Sequence, residues 1–123
     1  MSTTIFTFGS NLAGRHGRGS AHKALLHYGA VYGQGEGLQG RSYAIPTKDR
    51  DLKPLPLADI AASVERFLDF ARSKPRLTFN VVAIGCGLAG FTPTQIAPMF
   101  AGAPDNVVLP AVFRAVIEGM AHG

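Results

Sequence analysis

Residues 79–91 read FNVVAIGCGLAGF, and they hold the chain's densest set of groups suited to chemistry. An apolar run of strand-forming residues, 79–84, leads directly into Gly85, Cys86, Gly87, Leu88, Ala89 and Gly90. Thr92, Pro93 and Gln95 then give a helix start, a capping box with proline at the first helical position. A strand, a glycine-rich turn and a helix start in succession form an anion cradle. Backbone N–H groups are left free, missing Cβ atoms let a phosphate approach, and a helix N-terminus adds positive potential. A phosphorylated ligand is therefore expected here, with a tight turn that binds nothing as the alternative. The segment also matches G-x-G-x-x-G. The dinucleotide fingerprint opens the first βαβ unit, however, and has an acid about 20 residues on. Here the match lies in the last third of the chain and the next acid is Asp105, so a nicotinamide-dependent oxidoreductase is not expected.

A second group lies near the N-terminus. Gly9, Ser10, Asn11, Gly14, Arg15, His16, Gly17, Arg18, Gly19 and Ser20 read as a flexible, polar loop with its helix start. Asn11 can donate and accept at once, which suits gripping a ribose hydroxyl or orienting a water; it is equally a good turn former. His16 could be a general base, a ring-stacking contact or an exposed loop residue without a role. Lys48 could meet an anion and Asp49 could act as a base, or the two could form an ion pair on a surface loop. Cys86 sits where backbone N–H groups could lower its pKa, but no base lies beside it in the sequence, so a small residue chosen for fit is the simpler reading. His22 and His27 are spaced wrongly for one helix face. No metal site and no cofactor are expected, and no G-x-S-x-G, H-E-x-x-H or Walker A pattern occurs.

These groups need elements to position them. Residues 3–8 alternate β-branched and aromatic side chains and read as a strand. Residues 9–19 follow as a loop, and 20–28 as a helix with Ala21, Ala24, Leu25 and Tyr28 on one face. Residues 31–40 contain Gly33, Gly35, Gly37 and Gly40, a density that suggests a mobile or ligand-shaped loop. Residues 41–46 read as a short strand ended by Pro46, and 48–55 as a charged linker. Leu57, Ile60, Val64, Phe67, Leu68 and Ala71 follow helical spacing up to the stop at Pro75. After the strand at 79–84, a helix from Thr92 carries Ile96, Met99 and Phe100 inward and ends at Gly102. Residues 107–109 read as a last strand and 110–120 as a C-terminal helix. The order βαβαβαβα favours an α/β sandwich with helices on both faces of a central sheet. Ligands of such sheets bind beyond the carboxyl ends of the strands, where both glycine loops fall. Two cradles converging on one crevice suit a diphosphate.

The bulk numbers agree with this. The 123 residues fit one domain, 1–123, and are 46% hydrophobic and only 16% charged. The longest uncharged stretch, 77–104, is broken by glycines and prolines and cannot span a membrane. The N-terminus has no signal-peptide pattern, and the single cysteine excludes an internal disulfide and fits a reducing cytosol, so a cytoplasmic location is expected. The net charge of +4 is scattered along the chain, without runs of like charge, which argues against a nucleic-acid stripe.

Gly9-Ser10-Asn11 after a strand, the glycine-rich loop and helix that follow, Ile45-Pro46-Thr47-Lys48, and Ile84-Gly85-Cys86-Gly87-Leu88 together resemble a macrodomain. The likeness is to compact forms from phage and bacterial genomes and, more distantly, to the branch that removes terminal ADP-ribose from proteins. It implies a three-layer α/β/α fold with a central mixed sheet and a crevice for ADP-ribose, a related nucleotide or another phospho-sugar. By the same resemblance Asn11 stands near the distal ribose. Gly17 and Gly19 resemble the first loop and Gly85, Cys86, Gly87, Leu88 and Ala89 the diphosphate loop, with Gly9, Ser10, Ser20 and Gly90 beside them as further expected ligand contacts. Phe91 is similar to an aromatic that closes over the ribose. Lys48 is similar to a lysine that forms a covalent adduct with the sugar in the terminal-ADP-ribose branch. That branch has an aspartate where this chain has Ala89, and the acid that usually contacts adenine has no clear equivalent. The expected partner is ADP-ribose or an ADP-ribosylated macromolecule, with binding alone and hydrolysis by Asn11, Lys48 and Asp49 both open. The rival readings are a non-enzymatic, phage-type interaction module that grips a protein or nucleic acid, and an enzyme acting on another nucleotide or phospho-sugar.

Overall fold

The computed structural model describes residues 3–122. Its elements are β1 (Thr3–Asn11), α1 (Gly19–His27), β2 (Gly37–Gln39), β3 (Ser42–Lys48), α2 (Leu57–Arg72), β4 (Leu77–Val81), α3 (Pro93–Ile96), β5 (Val107–Val108) and α4 (Ala111–His122). A single 3-10 turn, Ala97–Phe100, continues α3. The strands form one mixed sheet in the order β2-β3-β1-β4-β5. β1 lies at its centre, parallel to β3 and β4; β5 is parallel to β4, and β2 is antiparallel to β3.

The period-2 alternation of β1 gives the sheet two different faces. Ile5 points to one side, with Tyr43 and Ile45 of β3 and Phe79 and Val81 of β4. Against them pack Ile60, Val64, Phe67, Leu68 and Ala71 of α2, joined by Ile96, Phe100 and Phe113. The aromatic rings meet edge to face, Phe67 with Phe79 at 5.3 Å and with Tyr43 at 4.9 Å between centroids. Phe8 points to the other side, where its cluster is built with the alanines Ala21, Ala24, Ala30 and Ala44. These small side chains let α1 lie close to the sheet. At its margin Tyr28 stacks on Phe6 at 4.6 Å, and the Lys23 ammonium lies 5.6 Å from the Phe6 ring centre. The result is a three-layer α/β/α sandwich with unequal outer layers. Among the described residues no helix is long and apolar enough to cross a membrane.

Several boundaries differ from the sequence reading. Gly9, Ser10 and Asn11 are the last residues of β1 rather than part of a flexible loop. β3 runs through Pro46 to Lys48; β2 stops pairing at Ala44, so the missing N–H of Pro46 breaks no ladder bond on that side. β4 ends at Val81; Val82 N still donates to Thr7 O of β1 at 3.1 Å, and the chain leaves the sheet after it. The capping box at Thr92 and Gln95 is present, but the α-helix that it starts has only four residues before the 3-10 turn.

The segment 31–40 does not line the crevice. It contains β2 and is tied down by several hydrogen bonds. Gln39 Nε2 donates to Gln34 O and Gly37 O, while its Oε1 accepts from Val31 N at 2.8 Å. Arg66 holds Glu36 through two hydrogen bonds of 2.7 and 3.0 Å. Gly35 lies so close to β1 that an added Cβ would stand 2.8 Å from Leu12 O and nearer still to Asn11 O. Its carbonyl accepts the Ser10 hydroxyl. Gly35 and Gly40 are there for close packing of backbone on backbone, Gly40 against Gly29, whereas Gly33 and Gly37 stand at turns with positive φ.

Candidate functional site

A cleft of about 370 Å³ opens at the carboxyl ends of β1, β3 and β4. Gly9, Ser10 and Asn11 line it from β1, Thr47 and Lys48 from β3, and residues 82–85 just past β4. The two outer walls are Gly17, Arg18, Gly19, Ser20 and Ala21 on one side and Gly87, Leu88 and Ala89 on the other. Most of the residues singled out in the sequence therefore converge on one site, the size of a small-ligand pocket. Its floor is made irregular by the sheet itself. The register shifts between Ser10 and Asn11, so that Asn11 pairs with Lys48 and Thr47 is left over, its hydroxyl bonded to Ser10 O at 3.3 Å. A bulge of this kind re-aims the residues on either side of it.

Two sets of backbone donors are available to hold an anion. In the loop after β4, Cys86 N, Gly90 N and Phe91 N bond to Ala83 O, Gly87 O and Gly85 O. Among the described residues the N–H groups of Gly85, Gly87, Leu88 and Ala89 meet no acceptor in the chain. Gly85 has φ +74°, a turn that a side chain would strain, and a Cβ added there would stand 3.4 Å from side-chain carbons of Phe91 and Ile96. The second set is the first turn of α1. Its cap residue Arg18 makes no side-chain capping bond, there is no acid in the turn, and the first helical bond is His22 N to Arg18 O. The N–H groups of Gly19, Ser20 and Ala21 are thus unpaired at the positive end of a nine-residue helix. The helix that contributes to this cleft is α1. α3 begins well beyond the glycine loop and is too short to add a useful dipole.

The charges agree with the donors. Arg15, Arg18 and Lys48 line the cleft, no aspartate or glutamate does, and among the described residues these cations are in no ion pair. Asn11 is 4% exposed, and its amide is already engaged: Nδ2 donates to Arg15 O and Oδ1 accepts from Arg15 N, both at 3.0 Å. Its turn-forming role is the one seen, holding the first loop in place beside Arg15.

Other expected site residues stand elsewhere. Asp49 is outside the cleft lining, with Oδ1 accepting from Asp51 N at 2.9 Å and Lys53 N at 3.0 Å, so its carboxylate caps its own turn. Gly90 is exposed and also outside the lining. Cys86 and Phe91 pack against the large core under the loop, outside the cleft lining, with the Phe91 ring beneath Gly85. Burial pushes the Cys86 thiol above its ordinary pKa, the opposite of an activated thiolate. His16 is fully buried, not an exposed loop residue. Its ring meets Phe8 edge-on at 5.3 Å, and Nε2 donates to Gln39 Oε1 at 3.1 Å. The other bonds of the Gln39 amide fix that donor direction, leaving Nδ1 without a partner.

Several lining residues had no site role in the sequence reading, among them Val82, Ala83 and, in the turn after β3, Leu52. Leu52 is the one non-glycine with positive φ among the described residues, at +64°. Left-handed backbone costs a leucine about 1–2 kcal/mol. Nothing in the spacing of residues 48–55 signals it, because a leucine is the wrong residue type for such a turn.

The macrodomain of Mycobacterium tuberculosis DarG has a similar structure: TM-score 0.63 at 22% sequence identity, covering 88% of this chain and 89% of that one. No protein-family profile and no curated protein sequence matches the chain. The fold is thus macrodomain-like, with five strands in a mixed sheet between helical layers.

Proposed function

We propose that this protein binds ADP-ribose, or a close nucleotide relative, with the diphosphate between the α1 N-terminus and the loop after β4. The observation that carries this reading is the convergence of unpaired N–H groups from both walls on a cleft that holds Arg15, Arg18 and Lys48 and no carboxylate. A diphosphate needs many donors and cations and tolerates no buried acid near it. The terminal ribose lies at the Asn11–Lys48 end of the cleft, as the family resemblance implies. Binding alone is the favoured activity, because the lining offers no Asp, Glu or His for general acid–base catalysis.

Hydrolysis is the second reading, and a single observation supports it: Lys48 lines the cleft beside the Asn11 strand end. A hydrolase of this design would use Lys48 as nucleophile toward the sugar. The 31–40 segment lies outside the cleft, so an interaction module would use either the cleft itself or a separate surface there.

Thermal unfolding with added ligand tests the proposal. ADP-ribose at about a hundred times its Kd stabilises by about 2.7 kcal/mol. We expect a clear rise in Tm with ADP-ribose, and a smaller one with AMP or ribose 5-phosphate at the same concentration. Equal responses to all three would count against a diphosphate cradle.

A further inference from the structure

The chain following β3 folds back as a small hairpin at the cleft mouth. Leu55 N donates to Thr47 O at 2.9 Å, Asp49 N to Lys53 O at 2.7 Å and Leu52 N to Asp49 O at 3.1 Å, while Lys48 faces Pro54 across an antiparallel bridge. This is a tight turn followed by one left-handed residue, a position that normally falls to glycine or asparagine. Here it is Leu52, with φ +64°. Core burial does not explain a strained leucine at this place, because Leu52 is 44% exposed. It lines the cleft together with Lys48.

We propose that Leu52 is a specificity-determining contact, an apolar wall that packs on the C–H face of the terminal ribose. Asp49 is the positioning residue behind it, since the Asp49 carboxylate bonds to Asp51 N and Lys53 N and so holds the turn that presents Leu52. The assignment of this end of the ligand rests on the ADP-ribose reading above. Leu52 belongs to that end because the hairpin grows from the end of β3 that carries Lys48, whose sheet partner is Asn11, the residue that the family resemblance puts near the distal ribose. A hydrocarbon side chain offers nothing to a diphosphate and suits the uncharged sugar beside it. Selection then operates between ligands with and without a terminal ribose.

The test is calorimetric titration of wild type, Leu52→Asn, Leu52→Gly, Leu52→Met and Asp49→Ala with ADP-ribose and with ADP, which lacks the terminal ribose. Leu52→Asn and Leu52→Gly should unfold at the wild-type temperature or above it, because both residues tolerate positive φ. Both should bind ADP-ribose at least fivefold more weakly and ADP as wild type does. Leu52→Met should recover most of the ADP-ribose affinity, and Asp49→Ala should show the same selective loss as Leu52→Asn. The proposal is overturned by wild-type ADP-ribose affinity in Leu52→Asn, or by an equal loss for ADP and ADP-ribose. If wild type itself bound no ADP-ribose, the functional reading would fall and this contact with it. A binding wild type with an indifferent Leu52→Asn removes the Leu52 assignment alone.

Discussion

The glycines do two separate jobs, and the space around each one tells them apart. An added Cβ at Gly35 would collide with the carbonyls of Asn11 and Leu12, whereas one at Gly87 meets nothing within 4 Å. Gly35→Ala should therefore destabilise the fold by about 2–3 kcal/mol, an overpacking cost against rigid backbone. Gly87→Ala should stay within about 0.5 kcal/mol of wild type. Denaturant unfolding of both variants checks this, and equal stabilities would contradict it. Both positions look the same in the sequence, as glycines in glycine-rich stretches. The same limit applies to His16, a polar residue in a loop of glycines that turns out to be core, held by a glutamine far along the chain. What a residue touches at long range leaves no local pattern.

β3 links the stability of the sheet to the position of Lys48, and Tyr43 near its start reports on that link. Burial pushes the Tyr43 phenol up to about 12; Glu36 adds to the effect and Arg66 opposes it. The folded chain thus keeps this proton to higher pH than the unfolded chain, whose tyrosine has its ordinary value of 10.0. The associated stability is complete below pH 10 and falls as pH rises from there through about 12. Tyr43→Phe should flatten this alkaline decline, measured by urea unfolding at about pH 8, 10 and 11.5, which run from below the unfolded value into the interval between the two. Parallel curves for the two proteins would contradict it. Elements with strong periodicity were legible from sequence. The α2 spacing and the capping box at Thr92 are both present as read. β2 and the extension of β3 were not, because a three-residue strand that starts on a glycine is formed by its partner, and Pro46 is tolerated only because β2 stops short.

The whole molecule places a donor-rich, cationic cleft at the carboxyl ends of three parallel strands, beneath one thin helical layer and above a thick aromatic core. The sequence showed both glycine loops and their convergence, since strand order and the carboxyl-end rule need only the element pattern. It assigned the helix dipole to the wrong helix, because a capping box announces where a helix starts and says nothing of how soon it stops. The central claim is that the backbone N–H groups at Gly87 and its neighbours hold a diphosphate. Calorimetric titration of wild type, Gly87→Ala and Gly87→Glu with ADP-ribose tests it most directly. The account predicts micromolar binding by wild type, similar folding stability in all of them, and loss of binding in Gly87→Glu, where a carboxylate enters the anion site. ADP-ribose binding that survives unchanged in a folded Gly87→Glu would contradict it.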